Sequence, residues 1–293
     1  MKLIKPSFEI WEQPAGLEGV YKQIERAGRV CYKSEDKITE DSAKPFVDRM
    51  IRSGHGAMLE HGTVYLKFLW DGKICELCNQ ALPHKLLDKY CINKYSIVNY
   101  NGNDVYITTN LRVLVENDWL DDLKYICEPT EFHERRVTVH FVCDRGVSHE
   151  FVRHRVMSFA QESTRYCNYS KNKFGNELTF IIPCWVGEGQ ENASLEDRDI
   201  CGNTYADLCF KENLAKAERA YFTLIKQGWT PQQARAVLPN SLKTELVVTG
   251  FTSDWNHFFD LRARGTTGAP HPQAKELAEP LMKEFITRKY INN

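Results

Sequence analysis

The apolar and polar positions of this chain switch between two periods, and the switches predict alternating strands and helices. Residues 2–11 read as one short strand, with Leu3 and Ile4 near one end and Phe8 and Ile10 spaced by two. Leu17, Val20, Tyr21 and Ile24 then recur at helical spacing, and Gly28 is expected to close that helix. A second helix is predicted over residues 41–53, burying Phe46, Val47, Met50 and Ile51 and stopping at Gly54. Residues 55–61 read as a polar turn, and Thr63-Val-Tyr-Leu-Lys-Phe-Leu69 as a strand of period two.

Residues 71–135 carry weaker signals: a leucine-rich helix interrupted at Pro83, a hairpin about Asn101-Gly102, and a helix over residues 111–126. A strand follows over residues 136–143, alternating Val137, Val139, Phe141 and Cys143, and Ser148 is expected to cap a short helix reaching Arg155. Residues 159–172 lack a steady period and are expected to be loop. Residues 177–185 read as a strand, 187–193 as a turn and 196–227 as a long helix ended by Gly228. Thr230-Pro-Gln-Gln233 combines an N-cap, a first-turn proline and a capping-box glutamine, starting a short helix that carries Arg235. A strand over residues 244–251 and helices over 254–262 and 273–291 complete the chain. With no βαβ rhythm, repeat or Pro/Gly/Ser-rich linker, the order predicts an α+β fold. We expect a single domain over residues 1–293, a mixed sheet flanked by helices, with an inserted or elaborated subregion at about 71–135.

Composition narrows the function classes. Hydrophobic residues at 42% and charged residues at 26% are ordinary for a globular chain, and 38 basic against 39 acidic side chains give no bulk attraction to nucleic acid or an anionic membrane. Any anion recognition must therefore be local. The start lacks an apolar signal region, and no run of about 18 apolar residues predicts a membrane span. Ten cysteines without regular spacing read as reduced thiols, so a cytoplasmic location is expected.

The densest chemistry lies between Glu150 and Tyr166, where three arginines, a histidine and two glutamates share seventeen residues. Arginine forks grip phosphate or carboxylate at two points, so Arg153, Arg155 and Arg165 suggest an anionic ligand, against a basic surface turn as the plainer reading. A zinc-protease reading of His149-Glu150 fails, because His154 is five residues on and turned by roughly 140°. Cys75, Cys78, His84 and Cys91 resemble half a zinc site but lack a second close-spaced pair, and no metal is expected. Gly187-Glu-Gly189 lacks the third glycine of a dinucleotide fingerprint. Cys184 reads as a buried strand cysteine, and the serine-nucleophile elbow and P-loop are both absent. Arg235 and Arg262 each interrupt an apolar run and, if buried, need an anion, either a ligand or an internal salt bridge.

Arg153-His154-Arg155, seven residues, then Ser163 resembles the signature of the flavin-dependent thymidylate synthases. Asp144-Arg-Gly-Val-Ser-His-Glu-Phe-Val152, Ser163-Thr-Arg-Tyr166, Gly54-His55 with Leu59-Glu60-His61, Ala234-Arg-Ala-Val-Leu-Pro239 and His257-Phe-Phe-Asp-Leu-Arg262 are similar to that family too, in the same order. The resemblance covers about residues 29–70 and 140–290. It implies a homotetramer with active sites between subunits, converting dUMP to dTMP with 5,10-methylenetetrahydrofolate as carbon donor, FAD as hydride carrier and NADPH as reductant. By position, it places His61, Thr63, Arg153, His154, Arg155, Gln161 and His257 at FAD. Glu150, Arg153, Gln161, Ser163, Arg165, Arg235 and Arg262 fall at dUMP, with Arg262 against the uracil and Ser163 either positioning the substrate or attacking it.

The chain departs from the family at several points. Gln161 stands where others carry an acid, Ala160 where they carry a polar residue, and Glu150 where some carry an amide. Cys31 aligns with a position that can touch flavin, and Phe251-Thr-Ser253 lacks an asparagine that Asn110-Leu-Arg112 would replace. The competing class is an RNA- or nucleotide-binding module stacking bases on Phe159, Tyr166 and Tyr169, against which the near-zero net charge counts.

Overall fold

The alternating segments form nine strands in the computed structural model, which describes residues 1–69, 85–186 and 204–292. They are β1 (Lys2–Ile4), β2 (Ser7–Trp11), β3 (Thr63–Leu69), β4 (Ile97–Asn101), β5 (Asp104–Asn110), β6 (Arg136–Asp144), β7 (Ser158–Gln161), β8 (Thr179–Ile181) and β9 (Lys243–Phe251). The helices are α1 (Gly16–Tyr32), α2 (Ala43–Arg52), α3 (Gly56–Leu59), α4 (Lys85–Cys91), α5 (Leu111–Glu116), α6 (Arg145–Phe151), α7 (Tyr205–Lys226), α8 (Pro231–Ala234), α9 (Thr252–Phe259) and α10 (Pro272–Thr287). This is the expected α+β class, with helices flanking a multi-stranded sheet. The central sheet runs β2-β6-β9-β7 and is antiparallel throughout, as is a second sheet, β3-β5-β4; among the described residues parallel pairing is confined to β1 and β8.

The central sheet has two different faces, and the period of two decides which residues lie on each. Val137, Val139 and Phe141 of β6 and Leu246 and Val248 of β9 pack against Phe258 of α9 and Leu281 and Phe285 of α10, around a fully buried Trp255. Each such side chain contributes about 1.5–3 kcal/mol on burial. On the opposite face Val247 and Ala160 meet Ala27 and Val30 of α1, and the strand positions between them are polar. A separate core joins Val20 and Ile24 of α1 and Phe46 and Val47 of α2 to Val64 and Leu66 of β3 and Val105 and Ile107 of β5.

Several expectations shift for identifiable reasons. The strand over residues 2–11 splits at Lys5-Pro6, since proline has no N–H for a ladder, and its halves join different sheets. Gly28 does not end α1: the helix continues to Tyr32 and closes at a left-handed Lys33 (φ 47°). Gly28 instead admits Phe46, whose Cζ would lie 2.6 Å from an added Cβ. Ser148 does not cap α6. The Asp144 side chain accepts from Val147 N at 2.8 Å, and the helix stops at Phe151. Arg153 to Arg155 thus lie in the turn beyond it, and residues expected as loop form β7. The helix expected over 111–126 breaks at Asp118 (φ 59°) into α5 and a 3-10 turn, Leu120–Tyr125. The strand over residues 63–69, the hairpin through a left-handed Gly102 and the proline-started helix after Thr230 form as expected. Pro83, Cys75, Cys78, His84, Gly187 and Gly189 lie outside the described residues. Among the described residues no helix is long and apolar enough to cross a membrane.

Candidate active site

Beyond α9 the helix loosens into a π turn, Asp260–Arg264, which turns Arg262 back toward the end of α6. Arg262 donates from Nη1 to Glu150 Oε2 at 2.6 Å, from Nη2 to the Glu150 carbonyl at 2.9 Å and from Nε to His154 Nε2 at 3.2 Å. A guanidinium has five N–H donors, so three are committed and two are left. His154 packs edge-on to His257 at 5.9 Å and against Phe258 at 4.9 Å. Burial, then the charges of Arg262 and His257, push His154 down to about 4. It is therefore neutral at pH 7, and its bond from Arg262 Nε assigns Nε2 as acceptor and leaves the proton on Nδ1. Glu150, His154 and Arg262 form one hydrogen-bonded unit with His257 beside it, and exposed Arg153 adds a nearby positive charge. Of the two sources of an anion for Arg262, the fold supplies the internal one.

A second group forms at the end of β7. Gln161 Nε2 donates to Ser148 Oγ at 2.8 Å and Thr244 Oγ1 at 3.2 Å. Ser163 N donates to the Cys31 carbonyl at 3.0 Å, and Ser163 Oγ accepts from Arg165 N at 3.3 Å. Arg235 reaches Thr164 Oγ1 at 3.5 Å, and Arg165 lies over the Tyr166 ring. Arg235 is not buried, contrary to the apolar run around it; like Arg165 it is exposed, and among the described residues neither has a carboxylate partner. Cys31 contributes its carbonyl rather than its thiol, which burial pushes up to about 11. Cys184 is exposed rather than buried in a strand, and Tyr169 is buried rather than free to stack on a base.

Beneath this turn lies a charged chain that sequence reasoning missed. Glu162 accepts from Tyr169 Oη at 3.0 Å and Lys243 Nζ at 2.9 Å; Lys243 also meets Glu245, which holds Lys33 at 2.9 Å and His140 at 3.0 Å. Burial pushes Glu245 up, but the bond from His140 and the charges of Lys243 and Lys33 outweigh it and hold the carboxyl well below its usual range. The one available signal is that Lys243 and Glu245 open an otherwise apolar strand.

His61 and Thr63 sit apart from both groups and are buried. His61 Nδ1 bonds Thr249 Oγ1 at 2.8 Å, while Nε2 lies by the Phe159 backbone without completing a hydrogen bond. Burial first, and the Arg136 charge second, drive His61 down to about 3. Thr63 exchanges hydrogen bonds with the Gln13 side chain and accepts from Arg136 Nη1 at 3.3 Å. Arg155 and Val156 line a cleft of about 560 Å³ together with Arg136, Ser158, Asp254, Tyr95 and Arg112. Among the described residues no group of three or more His, Cys, Asp or Glu could hold a metal ion.

The family model described as thymidylate synthase complementing protein matches residues 102–288. A flavin-dependent thymidylate synthase from Corynebacterium aurimucosum is 24% identical over 277 residues, 93% of this chain and 78% of that protein. One from Pyrococcus abyssi is 30% identical over 149 residues, 51% of this chain and 53% of that protein. One from Corynebacterium efficiens is 36% identical over 123 residues, 41% and 46% of the two. The alignment thus spans about half the length of the latter two relatives. Among solved structures, a UMP/dUMP methylase PolB from Streptomyces cacaoi bound with 5-Br dUMP aligns over 98% of this chain and 93% of that one at 17% identity, with a TM-score of 0.43, too low to carry an argument. The family match covers well over half of the sequence and includes the Arg153–Ser163 stretch, Arg235 and Arg262: this chain belongs to the thymidylate synthase complementing protein family.

Proposed function

We propose that the protein catalyses the reductive methylation of dUMP to dTMP, with 5,10-methylenetetrahydrofolate giving the carbon, NADPH the reducing equivalents and tetrahydrofolate leaving as product. The observation that carries this reading is Arg262, fixed by three hydrogen bonds with two N–H donors left for a ligand. A guanidinium immobilised in advance stabilises negative charge on a pyrimidine ring without reorganising. Against the uracil it favours ionisation at N3 and raises electron density at C5, the atom that takes the new carbon. Glu150 and His154 act through Arg262, by aiming it. Arg165 and Arg235, exposed beside Ser163 and Thr164, suit the dUMP phosphate.

Bound FAD would supply the hydride that completes the methyl group. The residues fit such a group: the cleft at Arg155 is within the usual ligand range of about 300–1,000 Å³. It also contains Arg136, whose buried Nε has no hydrogen-bond partner among the described residues. His61 and Thr63 adjoin this cleft through Arg136, which donates to Thr63 Oγ1 and whose charge acts on His61, and we take the site to be completed between subunits of a homotetramer, as the family resemblance implies. Purified protein should be yellow, release FAD on denaturation, and release tritium from 5-tritiated dUMP when given NADPH and methylenetetrahydrofolate. A colourless protein that neither binds added FAD nor releases tritium would sink the proposal.

A further inference from the structure

Much of the lining of the cleft at Arg155 comes from residues between Asn93 and Asn117, in the region to which sequence reading gave no task. Its first part, Asn93 to Tyr95, lies ahead of the span matched by the family model. Tyr95 lines the cleft with 46% of its surface exposed, and the Lys94 ammonium lies 4.9 Å from its ring centroid. The loop is held in place. The Asn93 side chain accepts from Tyr95 N at 2.9 Å and Ser96 Oγ at 3.4 Å, and Ser96 Oγ in turn reaches Thr109 of β5, which is fully buried, at 2.9 Å. An exposed aromatic ring on an anchored loop loses little freedom when it stacks.

The charges in the cleft do not cancel. Arg112 is paired with both Glu60 and Glu116, and Asp254 caps α9 by accepting from Phe251 N at 3.1 Å. Lys94 and Arg155 have no carboxylate partner among the described residues, and Arg136 bonds only to the Glu60 carbonyl and the hydroxyls of Thr63 and Ser158. Four cations against three carboxylates leave one net positive charge in a cleft that also holds an accessible ring, which suits a ligand that joins phosphate to a flat aromatic base.

We propose that Tyr95 and Lys94 form the stacking and phosphate-contacting wall of a nucleotide site completed by Arg155, and that FAD is its occupant. The identity of the occupant rests on the function proposed above; the wall itself rests on the cleft. Binding of FAD and of AMP to the full chain, followed by calorimetry, tests both. Tyr95→Ala should weaken FAD and AMP about 10- to 100-fold, the usual loss for a stacked base, while Tyr95→Phe keeps the ring and the affinity. Lys94→Ala should weaken both ligands and flatten the salt dependence. Unchanged melting temperatures are expected, since both side chains are at the surface. Wild-type protein that binds FAD, with Tyr95→Ala and Lys94→Ala binding it equally well, overturns the wall and leaves the function standing. Binding of AMP but not FAD supports the site and overturns the flavin. Binding of neither overturns both.

Discussion

At the scale of single residues, the neutral histidine beside the fixed arginine has two consequences. Arg262→Ala removes the donor aimed at the pyrimidine, and loss of one such preorganised donor typically costs about 10²–10³ in kcat. Glu150, left behind, keeps 26% of its side chain in solvent, so the unpaired charge is partly hydrated. Tritium release should therefore collapse while the melting temperature moves by only a few degrees; equal losses of both would make Arg262 a structural ion pair. The second consequence concerns pH. His61 at about 3 and His154 at about 4 lie below their ordinary 6.5, so the unfolded chain binds more protons than the folded one between those values. Stability should fall as pH drops from 6.5, by at most about 1.4 kcal/mol per pH unit for each histidine. Asp144 and Asp254, raised by burial, act with the opposite sign at the acid end. Urea unfolding between pH 7 and 5 checks this, and a His61→Gln chain should show a shallower slope; an identical slope removes His61 as its source.

At the scale of elements, glycine shows where sequence reading stops. Gly28, Gly54 and Gly228 all follow apolar helical runs, and two of them do end helices with positive φ, 69° at Gly54 and 91° at Gly228. Gly28 differs because of a neighbour eighteen positions away: the Phe46 ring occupies the space its Cβ would need, at 2.6 and 2.9 Å. Gly28→Ala should therefore cost about 1–3 kcal/mol by overpacking, more than the roughly 1 kcal/mol gained in helix propensity. A lower urea midpoint at constant slope is the expected result, whereas a higher midpoint would show that Phe46 moves aside freely. The same limit applies at the site. Local pattern marked the strands over residues 63–69 and 244–251, the capped helix at Thr230 and the basic cluster, because each is written in adjacent residues. It mistook Ser148 for a cap because Asp144, just ahead, serves better, and it left open whether Arg235 is buried, because on a short turn Ala234 points into the core while Arg235 beside it turns to the surface. The pairing of Arg262 with Glu150 joins residues 112 positions apart, and spacing alone could not reveal it.

At the scale of the molecule, the turn carrying Ser163 is tied to the rest through charge rather than apolar packing alone. Glu162 follows the last residue of β7, Lys243 opens β9 and Lys33 closes α1, so three elements distant in sequence meet at Glu245 and Lys243. Burying such groups is expensive, and it is tolerable only while every charge keeps its partner. Lys243→Met would leave Glu162, with 1% of its side chain exposed, holding only the Tyr169 hydroxyl. Glu245 would still keep Lys33 and His140. The single substitution should then cost about 3–5 kcal/mol, the usual penalty for orphaning a buried partner. Glu162→Leu with Lys243→Met removes both charges and should regain most of that stability, as apolar replacements of buried pairs commonly do. Denaturant midpoints of the three chains decide this: a loss under about 1 kcal/mol in Lys243→Met would mean that water already reaches Glu162. Because Ser163 and Thr164 follow Glu162 directly, the KM for dUMP should rise in the single variant and fall back in the double one if the pair matters only by holding the turn. A KM that stays high once stability has returned would instead show that the ionic pair itself sets the turn's geometry.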